Sequence, residues 1–203
     1  MTTKESRSQS RSTLSVQYLT RIAVLGALSA ILFYIEIPVI AFYHLDISTL
    51  PALLGAFSMG PLPGLAILAI KDVLHMFSSS TMYVGELADF IMGAAFVLPA
   101  SLIYRKHKTR KNALIGMIVG TLCMIVVAVL VNWQIVIPFY MSAFHMDMDA
   151  IIGMAQQSLS FVDSEWKVLL CVTAPFNLLK GVVLSALTFV LYKRLSPLLH
   201  VRK

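Results

Sequence analysis

An all-α integral membrane protein of six transmembrane helices, with both termini in the cytoplasm, is the fold the sequence predicts. Three observations carry that reading. Of the 203 residues, 58% are hydrophobic and only 13% charged, and the mean hydropathy is +0.82, whereas soluble domains carry about a quarter charged residues. Thirteen of the 16 Lys and Arg fall in residues 1–21, 105–111 and 193–203, where Glu5 is the only acid. Basic clusters beside apolar segments mark cytoplasmic ends and loops, so the net charge of +6 reflects topology rather than a nucleic-acid footprint. Residues 1–16 are polar, Ser-rich and basic, without the short apolar core and cleavage site of a secretory signal.

Apolar segments place spans near residues 18–40, 47–59, 62–78, 86–104, 113–138 and 167–192. The second and third are short and are parted by Gly60-Pro61-Leu62-Pro63-Gly64, which reads as a tight turn. Six crossings put Arg105–Lys111 and both termini on one side, which an odd number does not. The domain reading is a basic tail (1–17), a membrane domain (18–195) and a second basic tail (196–203). Outer loops fall at 41–46, 79–85 and 139–166. In the last, Asp147 and Asp149 precede an apolar-periodic run from Ile151 to Leu159, predicting a short amphipathic helix, either resting on the interface or acting as a lid. Cys123 and Cys171 sit in apolar stretches and read as small buried hydrophobes.

Ionisable groups within a span are expensive and mark sites or pathways. Here they are Lys71, Asp72 and His75 in the third span, Glu86 and Asp89 in the fourth, and Lys180 in the sixth; Asn132 and Asn177 accompany them. At the helical rise, Asn132 lies roughly 9 Å below Pro138, and Asn177 and Lys180 roughly 15 and 20 Å below Lys167. All gather between the outer surface and the midplane, which predicts a cavity open outward and closed inward. Asn177 and Lys180 share a helix face at i, i+3, and Pro175 just before them removes a backbone hydrogen bond. An amide and an ammonium suit a neutral ligand with an imide or amide edge and hydroxyls. Phe42, Tyr43, Tyr83, Trp133, Phe139, Tyr140 and Phe176 supply aromatic surface on the same side.

Each feature also has a plainer reading. Lys71 with Asp72 is a helix–helix ion pair, His75 an interfacial histidine, and Asp89 a partner of the bundle. Asn132 is then a bridge between helices, and the aromatics form an interfacial belt. In the first span, Ala23 with Ala27 and Gly26 with Ala30 form small-x-x-x-small patterns, for a partner helix or for internal packing. The chain holds no G-x-x-x-x-G-K-[ST], H-E-x-x-H or G-x-S-x-G motif and no Cys/His metal cluster.

Several separated segments, in order, resemble the substrate-binding S components of energy-coupling factor vitamin transporters, most closely the riboflavin-specific type. They are Leu45-Asp46-Ile47-Ser48-Thr49-Leu50-Pro51-Ala52-Leu53, Gly85-Glu86-Leu87-Ala88-Asp89-Phe90, Tyr104 to Lys111, Ala174-Pro175-Phe176-Asn177-Leu178-Leu179-Lys180-Gly181 and Leu191 to Pro197. The resemblance implies six helices, an outward-facing flavin pocket, and a complex in the bacterial cell membrane with a membrane coupling protein and two ATPase subunits. It implies ligand contacts at Asp46, Ser48, Thr49, Leu50, Glu86, Asn132, Asn177 and Lys180, and coupling-protein contacts at Ala23 and Ala27. Asp89 departs from the shorter amide expected there.

The expected function is capture of riboflavin outside the cell for ATP-driven uptake, with no catalytic residues, metal or cofactor. The alternatives are another vitamin such as thiamine or folate on the same scaffold, a small intramembrane enzyme using Glu86 and Asp89, or a structural subunit without a small ligand.

Overall fold

A computed structural model describes the backbone of residues 2–40 and 43–199, with side chains for 16–40 and 43–191. Phe42, Arg202 and Lys203 lie outside the described residues, as do the side chains of Lys4, Arg7, Arg11, Lys193 and Arg194. The chain runs α1 (Thr2–Phe33), β1 (Glu36–Ile40), β2 (Tyr43–Asp46), α2 (Thr49–Met59), α3 (Pro61–His75), α4 (Val84–Lys106), α5 (Arg110–Val131), α6 (Ile137–Ala143), α7 (Met148–Gln156), α8 (Glu165–Lys167) and α9 (Ala174–Leu199). Among the described residues five segments are long and apolar enough to cross a membrane: Val16–Phe33, Pro61–Ser78, Val84–Lys106, Arg110–Ala143 and Glu165–Leu191. Helix α2 is shorter, and every residue from Thr49 to Phe57 is buried among the other helices. At 1.5 Å per residue it spans only about 16 Å.

Three boundaries differ from those expected. The first span does not continue to residue 40: α1 stops at Phe33, and β1 pairs antiparallel with β2, Glu36 opposite Asp46 and Ile37 opposite Leu45. Ile37, Val39 and Ile40 are β-branched, and Pro38 cannot donate to a helix, so the apolar run extends instead. The register breaks between Pro38 and Ile40. Second, the Pro/Gly turn is a single residue, Gly60 at φ 111°, and Pro61 already starts α3. Prolines in a first helical turn cost little, because those N–H groups have no intrahelical acceptor. Third, the fifth span does not end at Pro138 but runs to Ala143.

That extension passes through a π-helical stretch, Asn132–Val136, and a second one, Val168–Thr173, leads into α9. Each precedes a proline, Pro138 and Pro175. A proline ring clashes with the carbonyl four residues back, and a widened turn relieves that clash while keeping the helix continuous.

The core divides by chemistry. At one end of the bundle Leu53, Ile67, Phe96, Val97, Met117 and Leu184 are wholly buried, and Phe57 lies against Tyr104 at 4.5 Å. Buried hydroxyls there return to their own helices, Thr121 to the Met117 carbonyl and Thr188 to that of Leu184, which satisfies them without water. Helices α4 and α5 meet closely: a Cβ on Gly116 would sit 2.6 Å from the Ala100 carbonyl oxygen, and one on Gly120 2.5 Å from that of Phe96. The buried charges collect at the other end, beneath the hairpin.

A candidate ligand cavity beneath the hairpin

The two stripes of small residues on α1 point in different directions. Gly26 and Ala30 face inward, and a Cβ on Gly26 would come within 2.7 Å of Ile70 on α3. Ala23 and Ala27 are exposed. Internal packing therefore takes one pair and leaves the other on the surface.

A cavity of about 300 Å³ opens among the hairpin, α4, the two π-helical stretches and α9. That volume is at the lower end of the range for sites that hold drug-sized ligands. Asp46, Thr49, Glu86, Asn132, Asn177 and Lys180 all line it, together with Asp89 and His75. Ser48 and Leu50, adjacent to Thr49, do not: both are buried behind the wall. The Ser48 hydroxyl donates to Asp46, and the Ser29 hydroxyl donates to the Ser48 carbonyl. Phe33, Tyr43, Tyr140 and Phe176 give aromatic surface, and Ile151 and Met154 of α7 add apolar lining. The helix predicted in the 139–166 loop is thus present and contributes to the cavity lining. Asp147 stands at its start but makes no side-chain cap.

Ion pairs connect four segments behind and along this wall. The Lys180 ammonium donates to Asp46 at 2.7 Å and to Asp89 at 2.9 Å. Asp89 also accepts from Lys71, which lies 3.1 Å from Asp72 and 4.3 Å from the centre of the Phe33 ring. Lys71 is fully buried. The Lys71–Asp72 pair foreseen from the sequence is one link of this longer chain, and Asp89 joins its two lysines. Three carboxylates face two ammoniums, so no charge here lacks an opposite neighbour. Leaving such a group unpaired would cost several kcal/mol.

Glu86 belongs to a separate group. It accepts from Ser79 at 2.8 Å and Thr81 at 3.2 Å, and lies 2.9 Å from His75 Nδ1. His75 stacks on Phe33 with centroids 4.0 Å apart. Glu86 therefore ties the start of α4 to the end of α3, and much of its accepting capacity is engaged by protein.

The asparagines sit on the irregular turns. Asn132 opens the first π stretch, and its amide nitrogen donates to the Ala128 carbonyl at 2.8 Å. Asn177 donates likewise to the Thr173 carbonyl at 2.9 Å. Tyr43 joins the two regions: its hydroxyl donates to Asn132 Oδ1 at 2.9 Å and meets Thr173 Oγ1 at 2.7 Å, while its ring stacks on Phe176 at 4.7 Å. Burial pushes the Tyr43 phenol far above the ordinary tyrosine value, so it stays protonated. From sequence, Tyr43 was one aromatic among seven, and nothing in its spacing announced these partners. Among the described residues no group of three or more His, Cys, Asp or Glu could hold a metal ion.

The chain has relatives among known proteins. The profile of the family "ECF transporter, substrate-specific component" matches residues 17–192. "Riboflavin transporter RibU" of Staphylococcus aureus (strain TCH60) is 31% identical over 184 residues, 89% of this chain and 91% of that protein. "Riboflavin transporter FmnP" of Bacillus subtilis (strain 168) is 26% identical over 191 residues, 91% and 94% of the two chains. A solved structure of "the S component of a bacterial ECF transporter" superimposes with a TM-score of 0.71 at 28% identity, over 92% of this chain and 99% of that one.

Proposed function

The chain belongs to the substrate-specific components of ECF transporters, and on that footing we propose that it is the riboflavin-binding member of such a transporter, capturing the vitamin for uptake. Members of this family bind and deliver a substrate; they are not enzymes. The observation that carries the riboflavin reading is the convergence of Asn132, Asn177, Asp46 and Lys180 from remote segments on one aromatic-walled cavity. A flat, neutral ring system gains from burial against Tyr43 and Phe176, while its carbonyl and imide edge needs a few partners at defined places. The ribityl hydroxyls would take the remaining capacity of Asp46, Thr49 and Lys180. Glu86 is so engaged with His75, Ser79 and Thr81 that its part is to hold the wall.

The same reading places six crossings in the bacterial plasma membrane, with α2 as the short one. Because α2 is enclosed by other helices, it needs no full hydrocarbon span of its own. The basic clusters then lie in the cytoplasm and the cavity faces outward. Energy for release comes from a coupling protein and two ATPase subunits, and the exposed Ala23 and Ala27 face is the docking stripe for the coupling protein.

Two tests follow. Titrating purified protein against riboflavin by quenching of flavin fluorescence should give saturable binding, weakened about tenfold or more by Asn177→Ala, since a lost partner to a buried polar group costs about 1–3 kcal/mol. Unchanged affinity would remove Asn177 from the site. Ala23→Trp, at an exposed position, should leave that binding intact yet abolish uptake in cells that carry the partner subunits. Normal uptake would place the docking stripe elsewhere.

A further inference from the structure

We infer that Tyr43 is a positioning residue: it fixes the Asn132 carboxamide so that this position turns an amide proton, rather than its oxygen, to the ligand. The inference rests on the ligand-site reading above and deepens it. Its basis is the direction of each hydrogen bond around the two side chains. The Ala128 carbonyl can only accept, so the atom facing it is the Asn132 amide nitrogen. Asn132 Oδ1 is then the atom next to Tyr43, and the phenol gives it its single proton. The Thr173 hydroxyl, 2.7 Å from the phenol oxygen, must therefore donate to it. The chain of protons runs from Thr173 through Tyr43 to Asn132 and has one sense only.

The amide oxygen is thereby turned to the protein side, where one of its two lone pairs accepts from Tyr43. Of the two amide protons, one goes to Ala128, which leaves the other for a guest, and Asn132 lines the cavity. A ring carbonyl or an unprotonated ring nitrogen satisfies that proton; an N–H or an amino group opposes it. Polarity is enforced because Asn132 is buried at 5% exposure, where an unmatched polar atom cannot turn to water. Asn177 also gives one amide proton to its own helix, but no phenol holds its oxygen. The pair is therefore unequal, with Asn132 restricted to acceptors and Asn177 able to meet an imide N–H.

The hairpin gains a second role from this. Tyr43 lies on β2, so the side chain that orients Asn132 on the π-helical turn after α5 belongs to a different part of the chain from both asparagines. Its ring stacks on Phe176 independently of the hydroxyl. Removing only the hydroxyl separates orientation from packing.

The experiment compares riboflavin with a flavin analogue whose ring carbonyl is replaced by an amino group, by fluorescence-quenching titration of wild type, Tyr43→Phe and Asn132→Asp. Wild type should prefer riboflavin by about a hundredfold, since a site built for one partner rejects its opposite strongly. Tyr43→Phe, which retains the stack on Phe176, should narrow that preference to about tenfold or less while the melting temperature stays close to wild type. Asn132→Asp, with acceptors only, should favour the amino analogue. A Tyr43→Phe protein with unchanged preference would overturn the inference while leaving riboflavin binding standing. Wild type that binds neither flavin would instead remove the ligand-site reading on which it rests. If Asn132→Asp fails to fold, the Tyr43→Phe comparison decides alone.

Discussion

Lys180→Ala should both unfold the protein more easily and weaken riboflavin binding by at least about tenfold, or about 1.4 kcal/mol. The ammonium bridges Asp46 on the hairpin and Asp89 on α4 directly, at 2.7 and 2.9 Å, beside a longer route through Ser48 and Lys71. Without it, two buried carboxylates face each other with Lys71 as the remaining cation nearby. Breaking a buried pair from one side costs about 3–5 kcal/mol, because the orphaned charge stays in a medium of low dielectric. The companion variant separates the two effects. Removing Asp46 as well, in Lys180→Met with Asp46→Leu, deletes one charge of each sign and restores the native balance. Most of the lost stability should return, by thermal melting in detergent, whereas riboflavin binding should not. A single variant as stable as wild type would show that the charges are reached by water and need no partner.

Gly120→Val is expected to be the most damaging substitution outside the cavity. Even a lone Cβ would lie 2.5 Å from the Phe96 carbonyl oxygen and 3.0 Å from the Phe96 ring. Backbone cannot yield as a flexible side chain does, so α4 and α5 must separate along their whole contact. Overpacking of this kind costs about 1–3 kcal/mol in tolerant cores and more against backbone. The change should lower the melting temperature by several degrees and shift Asn132, which lies further along the same helical rod. Gly153→Ala on α7 is the control, since nothing stands within 4 Å of its added Cβ. It should be neutral or slightly stabilising, as replacing a helical glycine removes backbone freedom from the unfolded chain. Equal effects at the two positions would contradict the close packing of α4 against α5.

Much of the architecture was legible because a bilayer imposes a strong and simple pattern. Apolar length gave five of the expected segments, and Pro61 and Gly60 gave the break between α2 and α3. The hairpin was not visible: Ile35 to Ile40 is apolar whether helical or extended, and hydropathy does not distinguish the two. Its partner strand, Tyr43–Asp46, is only four residues long. The π-helical stretches were half visible. Pro175 signalled a lost hydrogen bond, but the widening of the turn before it depends on what packs around it.

Depth along the helices grouped Glu86, Asn132, Asn177 and Lys180, the resemblance added Asp46 and Thr49, and the fold lines one cavity with all six. Which neighbours they have there could not be read from sequence. Asp89 lies 91 residues from Lys180 and 18 from Lys71, and its two pairings exist only after α3, α4 and α9 assemble. Ser48, Thr49 and Leu50 show the limit of similarity by segment. A motif names consecutive positions, but a chain turning into α2 at Thr49 sends that side chain to the cavity and its neighbours into the bundle.

The decisive measurement is the visible absorbance of the protein purified from cells grown with riboflavin. A yellow preparation carrying flavin at about one per chain, turned colourless by Asn132→Ala combined with Asn177→Ala in a protein that still melts cooperatively, is the predicted result. A colourless wild type that does not take up added riboflavin, or a doubly substituted protein as yellow as its parent, would contradict the cavity as the flavin site.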